Sequence, residues 1–132
     1  MDVDGVLFRG HFILHLARHA GIFIYIRTAL LCFLFNINKI SIRELITRVY
    51  ARFKGITLEE AKKVYQNIAL IKHARETIET LHNHGYQVVL ISSGVPDLFV
   101  KDLAARLSAN KGYGVKIDIN NSQLTGEVFG RL

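Results

Sequence analysis

Apolar residues recur with helical spacing through much of the chain. After residues 41–44 they return every three or four positions as far as Phe53, which predicts a helix with one buried face. Residues 41–44 and 57–60 both have the pattern Ser/Thr-x-x-Glu, which is typical of a capping box at a helix N-terminus. The block from residue 12 to residue 70 is predicted to be almost wholly helical. After this block, a further helix is predicted over residues 71–84.

The period of the pattern changes after residue 85. Residues 86–91 form a short apolar run rich in β-branched residues, which predicts a strand buried on both faces. Residues 92–94, Ser-Ser-Gly, are predicted to end this strand. Pro96 then opens another helix at its first turn.

A hairpin is predicted near the end of the sequence. Gly112 and Gly114 are expected to break the chain, and apolar residues then alternate with polar ones over residues 115–119. Residues 124–129 are the predicted returning strand. The alternation of helix and strand around residues 71–107 predicts a parallel α/β sheet, which the helical block interrupts as an inserted cap. We expect residues 1–11 and 71–132 to form the core and residues 12–70 the cap.

Composition sets broad limits. Half of the residues are apolar, and the net charge of +6 suits an anionic substrate, a membrane surface or a nucleic acid without choosing among them. No run of five or six basic residues occurs, so we expect no nucleic-acid partner. The single cysteine, Cys32, excludes an internal disulfide and is predicted to be a small core residue. With no signal peptide at the start, a cytoplasmic location is expected.

Residues 21–37 are the most apolar segment. The segment is shorter than the roughly 20 residues that a membrane span needs. Arg27 lies near its middle and would cost about 2.5–3.5 kcal/mol on insertion. A buried or interfacial helix is predicted, and contact with a membrane surface through the cap remains an alternative.

Two carboxylates near the N-terminus are the first candidates for chemistry. In an extended chain the side chains of Asp2 and Asp4 point the same way, at the carboxyl end of a strand where ligands collect in α/β sheets. Two like charges need a cation, and hard oxygen ligands suit Mg²⁺. One carboxylate could attack phosphorus while the other acts as general acid and base. The same pattern is frequent in surface turns, so by itself it is not specific.

The second candidate is the Ser92-Ser93-Gly94 stretch. It follows a predicted buried strand, where hydroxyl and backbone N–H groups can bind a phosphoryl oxygen. An ordinary strand-to-helix turn is the alternative interpretation.

Together, DVDGVL, VVLISSG and LTGEV resemble the haloacid dehalogenase superfamily of phosphatases, in its phosphoserine-phosphatase-like branch. The resemblance implies a three-layer α/β core with a cap and Mg²⁺-dependent hydrolysis of a small phosphomonoester through an aspartyl phosphate. It implies that Asp2 is the nucleophile and a metal ligand. Asp4 would be the general acid/base and would ligate the metal through its backbone carbonyl. Ser92 would bind phosphate, and Ser93 and Gly94 would shape its loop.

Three features depart from the family pattern. Only Met1 precedes Asp2, and the family's third-motif lysine and fourth-motif acidic pair are not found before Leu132. We therefore expect the chain to be an incomplete catalyst with little turnover by itself. His11 stands where phosphoserine phosphatases carry an acidic residue for the substrate's amino group, so serine specificity is not implied. The rival hypotheses are a non-catalytic interaction module and a lipid-associated phosphatase.

Overall fold

A computed structural model describes residues 1–4 and 7–129. In the described residues, helices and strands follow one another in the predicted order, and the α/β fold with a helical insertion and a C-terminal hairpin is confirmed. The elements are α1 Phe12–Ala20, α2 Ile22–Asn36, α3 Ile42–Ala51, α4 Leu58–Asn67, α5 Ala74–Asn83, β1 Val89–Pro96, α6 Asp97–Arg106, β2 Lys111–Asn120 and β3 Gln123–Phe129.

The strands form one mixed sheet in the order β1-β2-β3. β1 and β2 are parallel and joined through α6, whereas β2 and β3 form the predicted antiparallel hairpin. The N-terminus lies along the other edge of β1: the Met1 ammonium donates to the Val89 carbonyl at 2.7 Å, and the Ile91 N–H donates to the Met1 carbonyl at 2.9 Å. Asp2 forms a parallel bridge with Ile91. This pairing places Asp2 beside β1.

β1 differs from the predicted strand in position and burial. It starts at Val89, continues through residues 92–94 to Pro96, and shifts register after Ile91, so the serines lie within an irregular strand rather than in a turn that ends it. The prediction that both faces are buried is wrong, because Leu90 is fully buried while Ile91 is 56% exposed. Alternate side chains of a strand point to opposite faces, and in the described structure one of these faces is open.

The two glycines that were expected to break the chain instead lie inside β2. A Cβ atom on Gly112 would come within 2.7 Å of the Val100 carbonyl oxygen of α6. The Gly114 N–H donates to the Asp97 carboxylate at the start of α6, at 2.8 Å. Glycine is needed at residue 112 because β2 and α6 approach closely, which local sequence does not reveal.

In both predicted capping boxes the first residue caps its helix: Ser41 caps α3 and Thr57 caps α4. The Glu44 N–H donates to Ser41 Oγ, and the Glu60 N–H donates to Thr57 Oγ1, each at 3.1 Å. α5 is shorter than the predicted helix over residues 71–84 and begins after His73, whose φ of 68° is left-handed.

The chain enters and leaves the helical insertion through two adjacent segments. The Arg9 N–H donates to the Ala69 carbonyl at 3.0 Å, and the Ile71 N–H donates to the Leu7 carbonyl at 2.7 Å. Farther along, the Tyr65 ring of α4 stacks on the Phe99 ring of α6 with centroids 4.7 Å apart. These contacts join the insertion to the sheet, while the exact boundaries at residues 11/12 and 70/71 remain a prediction.

α2 is the helix predicted over residues 21–37, for which a buried or an interfacial position was expected, and it is not fully buried. Two of its residues, Thr28 and Leu31, are buried, whereas a row of large apolar side chains on the opposite side is exposed. No helix among the described residues is both long and apolar enough to cross a membrane. We call the exposed row the outer face of α2; it consists of Ile22, Phe23, Ile26, Leu30, Phe33 and Ile37.

Candidate active site

A cavity of about 570 Å³ lies between the N-terminal segment, β1 and the first three helices. Five of the six predicted site residues line it: Asp2, Asp4, His11, Ser93 and Gly94. The rest of the lining comes from the helical insertion and is almost wholly apolar. We call this part the cap wall; it consists of Ile13 and Leu14 of α1, Cys32, Phe35 and Asn36 of α2, and Ile42, Leu45 and Ile46 of α3.

Asp4 is held at the N-terminus of α1. Its Oδ1 atom accepts the Phe12 N–H at 3.0 Å, while His11, in the N-cap position, makes no side-chain cap bond. Burial raises the pKa of the Asp4 carboxyl above the ordinary 3.8, against the opposing effects of the Phe12 N–H and His11. Nearby Asp2 raises this pKa further. Asp4 therefore keeps its proton to a higher pH than an ordinary aspartate does.

Gly94 allows Asp4 to occupy this position. A Cβ atom on residue 94 would lie 2.7 Å from Asp4 Oδ2, which is too close for any side chain. The Gly94 carbonyl in turn accepts the hydroxyl of Tyr50 at 2.5 Å. Burial, and secondarily the Asp4 charge, raises the pKa of Tyr50 well above its usual range. Sequence periodicity placed Tyr50 on a buried helix face but gave no signal of this hydrogen bond.

The two serines of β1 have different surroundings. Ser92 is buried and does not line the cavity, and its Oγ atom accepts the N–H groups of Gly94 and Val95 at 3.2 and 3.0 Å. Ser93 is exposed and lines the cavity. Ser92, predicted to bind phosphate, therefore holds the backbone of residues 94 and 95 and does not line the cavity, and Ser93 faces the space in which a ligand would lie.

The ionisable groups of the lining are few. Asp2 and Asp4 are its only acidic residues, and it contains neither lysine nor arginine among the described residues. No group of three or more His, Cys, Asp and Glu side chains in residues 1–4 and 7–129 could hold a metal. Mg²⁺ is commonly bound by one or two carboxylates together with water and substrate phosphate, so this pair of aspartates has the donor chemistry that Mg²⁺ requires.

Cys32 is half-buried in the cap wall rather than enclosed in the core as predicted. Burial raises the pKa of its thiol, which disfavours the thiolate form that nucleophilic chemistry needs. This agrees with the prediction that Cys32 packs rather than reacts.

Comparison with known proteins identifies relatives by sequence. A phosphoserine phosphatase from Archaeoglobus fulgidus is 28% identical over 131 residues, which cover 99% of this chain and 37% of that protein. One from Methanocaldococcus jannaschii is 25% identical over 95 residues, covering 72% of this chain and 44% of its own length. The chain thus spans less than half the length of these relatives.

Solved structures share the fold. The structure of a phospho-aspartyl intermediate analogue of phosphoserine phosphatase matches with a TM-score of 0.87 at 25% identity, over 98% of this chain and 60% of that one. A family model described as haloacid dehalogenase-like hydrolase matches residues 1–132. The resemblance inferred from the DVDGVL, VVLISSG and LTGEV motifs is confirmed, and the chain belongs to the haloacid dehalogenase-like hydrolases.

Proposed function

We propose that the protein hydrolyses a small phosphomonoester through an aspartyl-phosphate intermediate, with Mg²⁺ bound. The observation that carries this proposal is the meeting of Asp2 and Asp4 with Ser93 and Gly94 in one cavity beside β1. The phosphoserine phosphatases to which the chain is similar support the same class of reaction.

The charge of the lining supports the need for a cation. Two carboxylates with no lysine or arginine among the described lining residues would repel a phosphate dianion. The carboxylate of Asp2 and the backbone carbonyl of Asp4 would hold Mg²⁺, as the family resemblance implies. The bound ion would offset the negative charge of the phosphate.

Each site residue has a separate role in the two steps of the proposed reaction. A carboxylate oxygen of Asp2 attacks phosphorus as the bond from phosphorus to the leaving oxygen breaks, and Asp4 gives that oxygen its proton. In the second step Asp4 takes a proton from water, whose oxygen attacks the aspartyl phosphate and releases inorganic phosphate. Ser93 and Gly94, which line the cavity, would contact the phosphoryl group, and Ser92 would keep their backbone in place.

Phosphate release from a panel of phosphomonoesters tests this proposal. The assay uses the complete protein, meaning this chain with any sequence that its gene adds on either side, with Mg²⁺ and after chelation by EDTA. Release that needs Mg²⁺ is expected. An absence of release from every ester would favour the rival hypothesis of a non-catalytic interaction module.

Substitution of each serine distinguishes the structural role of Ser92, which holds the backbone, from that of Ser93, which faces the cavity. Ser92→Ala is expected to lower the free energy of unfolding by about 1–3 kcal/mol, because two buried N–H groups lose their acceptor. It should also reduce turnover more than Ser93→Ala, since Gly94 abuts Asp4. Ser93→Ala is expected to leave stability unchanged. Urea unfolding and phosphate release measure the two effects, and equal losses of stability in both variants would contradict the assignment.

A second candidate function, a phosphatase that acts at an anionic lipid surface, is favoured by the outer face of α2. Residues 5–43, the segment that contains this apolar face, include five basic residues and no aspartate or glutamate, so the segment has a net positive charge. Apolar side chains flanked by basic ones are the features of a helix that lies in a membrane interface. The basic residues are Arg9, Arg18, Arg27, Lys39 and Arg43.

Vesicle binding tests this candidate. The complete protein is expected to sediment with phosphatidylglycerol-containing vesicles and to bind neutral phosphatidylcholine vesicles weakly. The double variant Phe23→Ser/Phe33→Ser should lose about tenfold or more in binding, because two exposed phenyl groups no longer enter the interface. Leu98→Ser, which changes an exposed leucine on α6, is the matched control and should bind as the unmodified protein does. Unchanged binding of the double variant would exclude the outer face of α2 as the contact.

A further inference from the structure

We propose that the substrate of this site carries an apolar, uncharged organic group on its phosphate, such as an alkyl or aryl group. The inference rests on the proposed phosphatase function and specifies its substrate class. It follows from the side of the cavity that faces away from the aspartates, which the helical insertion supplies.

The cap wall offers apolar surface to a ligand. Ile13, Leu45 and Ile46 are buried, whereas Leu14 and Phe35 are only half-buried and keep surface open to the cavity. Cys32 and Ile42 share this partial burial, so three helices each contribute at least one accessible apolar side chain. Asn36 is the one polar residue of the cap wall, and it carries no charge.

The size of the cavity leaves room for such a group. Its volume of about 570 Å³ is within the range of small-molecule sites. Liquid water occupies about 30 Å³ per molecule, so a phosphate group would fill only a minor part of this space. The remaining volume lies against the cap wall.

Charged organic groups have few partners here. At neutral pH phosphoserine carries an ammonium and a carboxylate besides its phosphate. The described lining contains no lysine, arginine or glutamate. In the proposed reaction Asp2 and Asp4 act on the phosphate end of the substrate. Besides the two aspartates, the ionisable side chains of the described lining are His11 and the Cys32 thiol, whose pKa burial raises. A charged group that leaves water without a partner weakens binding strongly, which disfavours phosphoserine.

A series of linear alkyl phosphates tests the inference. With the complete protein, kcat/KM is expected to rise about threefold per added methylene from methyl to hexyl phosphate, as the chain covers the cap wall. Hexyl phosphate should be hydrolysed with a kcat/KM at least about 10²-fold above that of phosphoserine. A flat series, or a preference for phosphoserine, would overturn the inference.

Two phenylalanines of α2 supply a matched pair of variants. Phe35→Ser is expected to lower the hexyl-to-methyl ratio about tenfold, because Phe35 lines the cavity. Phe33→Ser changes a residue of the same helix that is 57% exposed and does not line it. This control should leave the ratio unchanged. Equal effects of the two substitutions on this ratio would show that the cap wall does not contact the organic group of the substrate.

A binding measurement separates this inference from the proposed function. Hexylphosphonate and methylphosphonate cannot be hydrolysed at their carbon–phosphorus bond, and calorimetry with Mg²⁺ present reports their affinities directly. Tighter binding of hexylphosphonate that is lost in Phe35→Ser supports the apolar site even if no ester is turned over, in which case only the proposed phosphatase function fails. Equal affinities of the two phosphonates would overturn the inference while leaving the phosphatase function intact.

Discussion

Replacing Asp2 with asparagine is expected to reduce phosphate release by the complete protein by about 10⁴–10⁶-fold, the scale of removing a catalytic nucleophile. The amide of asparagine does not attack phosphorus and brings no negative charge to a metal ion. Asp2 is exposed at the cavity, and its main-chain pairing with Ile91 does not depend on the carboxylate. The fold of the variant is therefore expected to be unchanged.

Three measurements make the Asp2→Asn result decisive. Phosphate release gives the loss of turnover, thermal unfolding shows that the variant is folded, and a Mg²⁺ titration shows a weakened response to the metal. Glu79→Gln, which removes an exposed carboxylate on α5 that does not line the cavity, is the control and should retain full activity. Wild-type turnover in Asp2→Asn would show that another residue is the nucleophile.

Asp4→Asn is expected to cost about 10²–10⁴-fold in turnover, the usual contribution of a general acid/base. The substitution keeps an oxygen that can accept the Phe12 N–H, so α1 retains the cap that Asp4 provides. It removes the proton that the leaving oxygen would receive. Esters with a good leaving group such as p-nitrophenolate need that proton less, so their hydrolysis should fall less than that of alkyl phosphates. An equal loss for both classes would argue against an acid role.

The raised pKa of Asp4 also predicts how stability varies with pH in the metal-free protein. The folded state holds this proton more tightly than the unfolded state, because burial disfavours the charged carboxylate. Asp4 therefore lowers the free energy of unfolding as the pH rises from the unfolded value of about 3.8 through the folded pKa. The Asp4→Asn variant should not show this decrease in the free energy of unfolding. At neutral pH it should be more stable than the unmodified protein, and thermal unfolding in EDTA measures the difference. Lower stability of the variant at neutral pH would contradict this.

Features that depend on neighbours in the chain were predictable from the sequence. The serine and threonine caps at residues 41 and 57 were confirmed because their partners lie three residues away. The hairpin of β2 and β3 was confirmed because its turn and alternating pattern are local. Asp2 and Asp4 share a cavity because they lie two residues apart at one end of an extended segment. The family resemblance had the same origin, since its motifs are short and contiguous.

The features that the sequence did not predict depend on contacts between distant residues. Asp4 caps α1 eight residues away, and Tyr50 donates to Gly94 across 44 positions. Gly112 lies inside a strand because α6 packs against it, although a glycine in isolation suggests a break.

Burial of α2 and the composition of the cap wall were likewise decided by the tertiary structure. An apolar segment shows only that its side chains avoid water, and which of them do so depends on the elements packed beside it. Phe33 and Phe35 are two residues apart and equally apolar, yet the first is exposed on the outer face of α2 and the second lines the cavity. The sequence by itself determined the aspartate pair, the helix caps and the family. The tertiary structure decided which apolar side chains line the cavity, because only packing gives each face of a helix its neighbour.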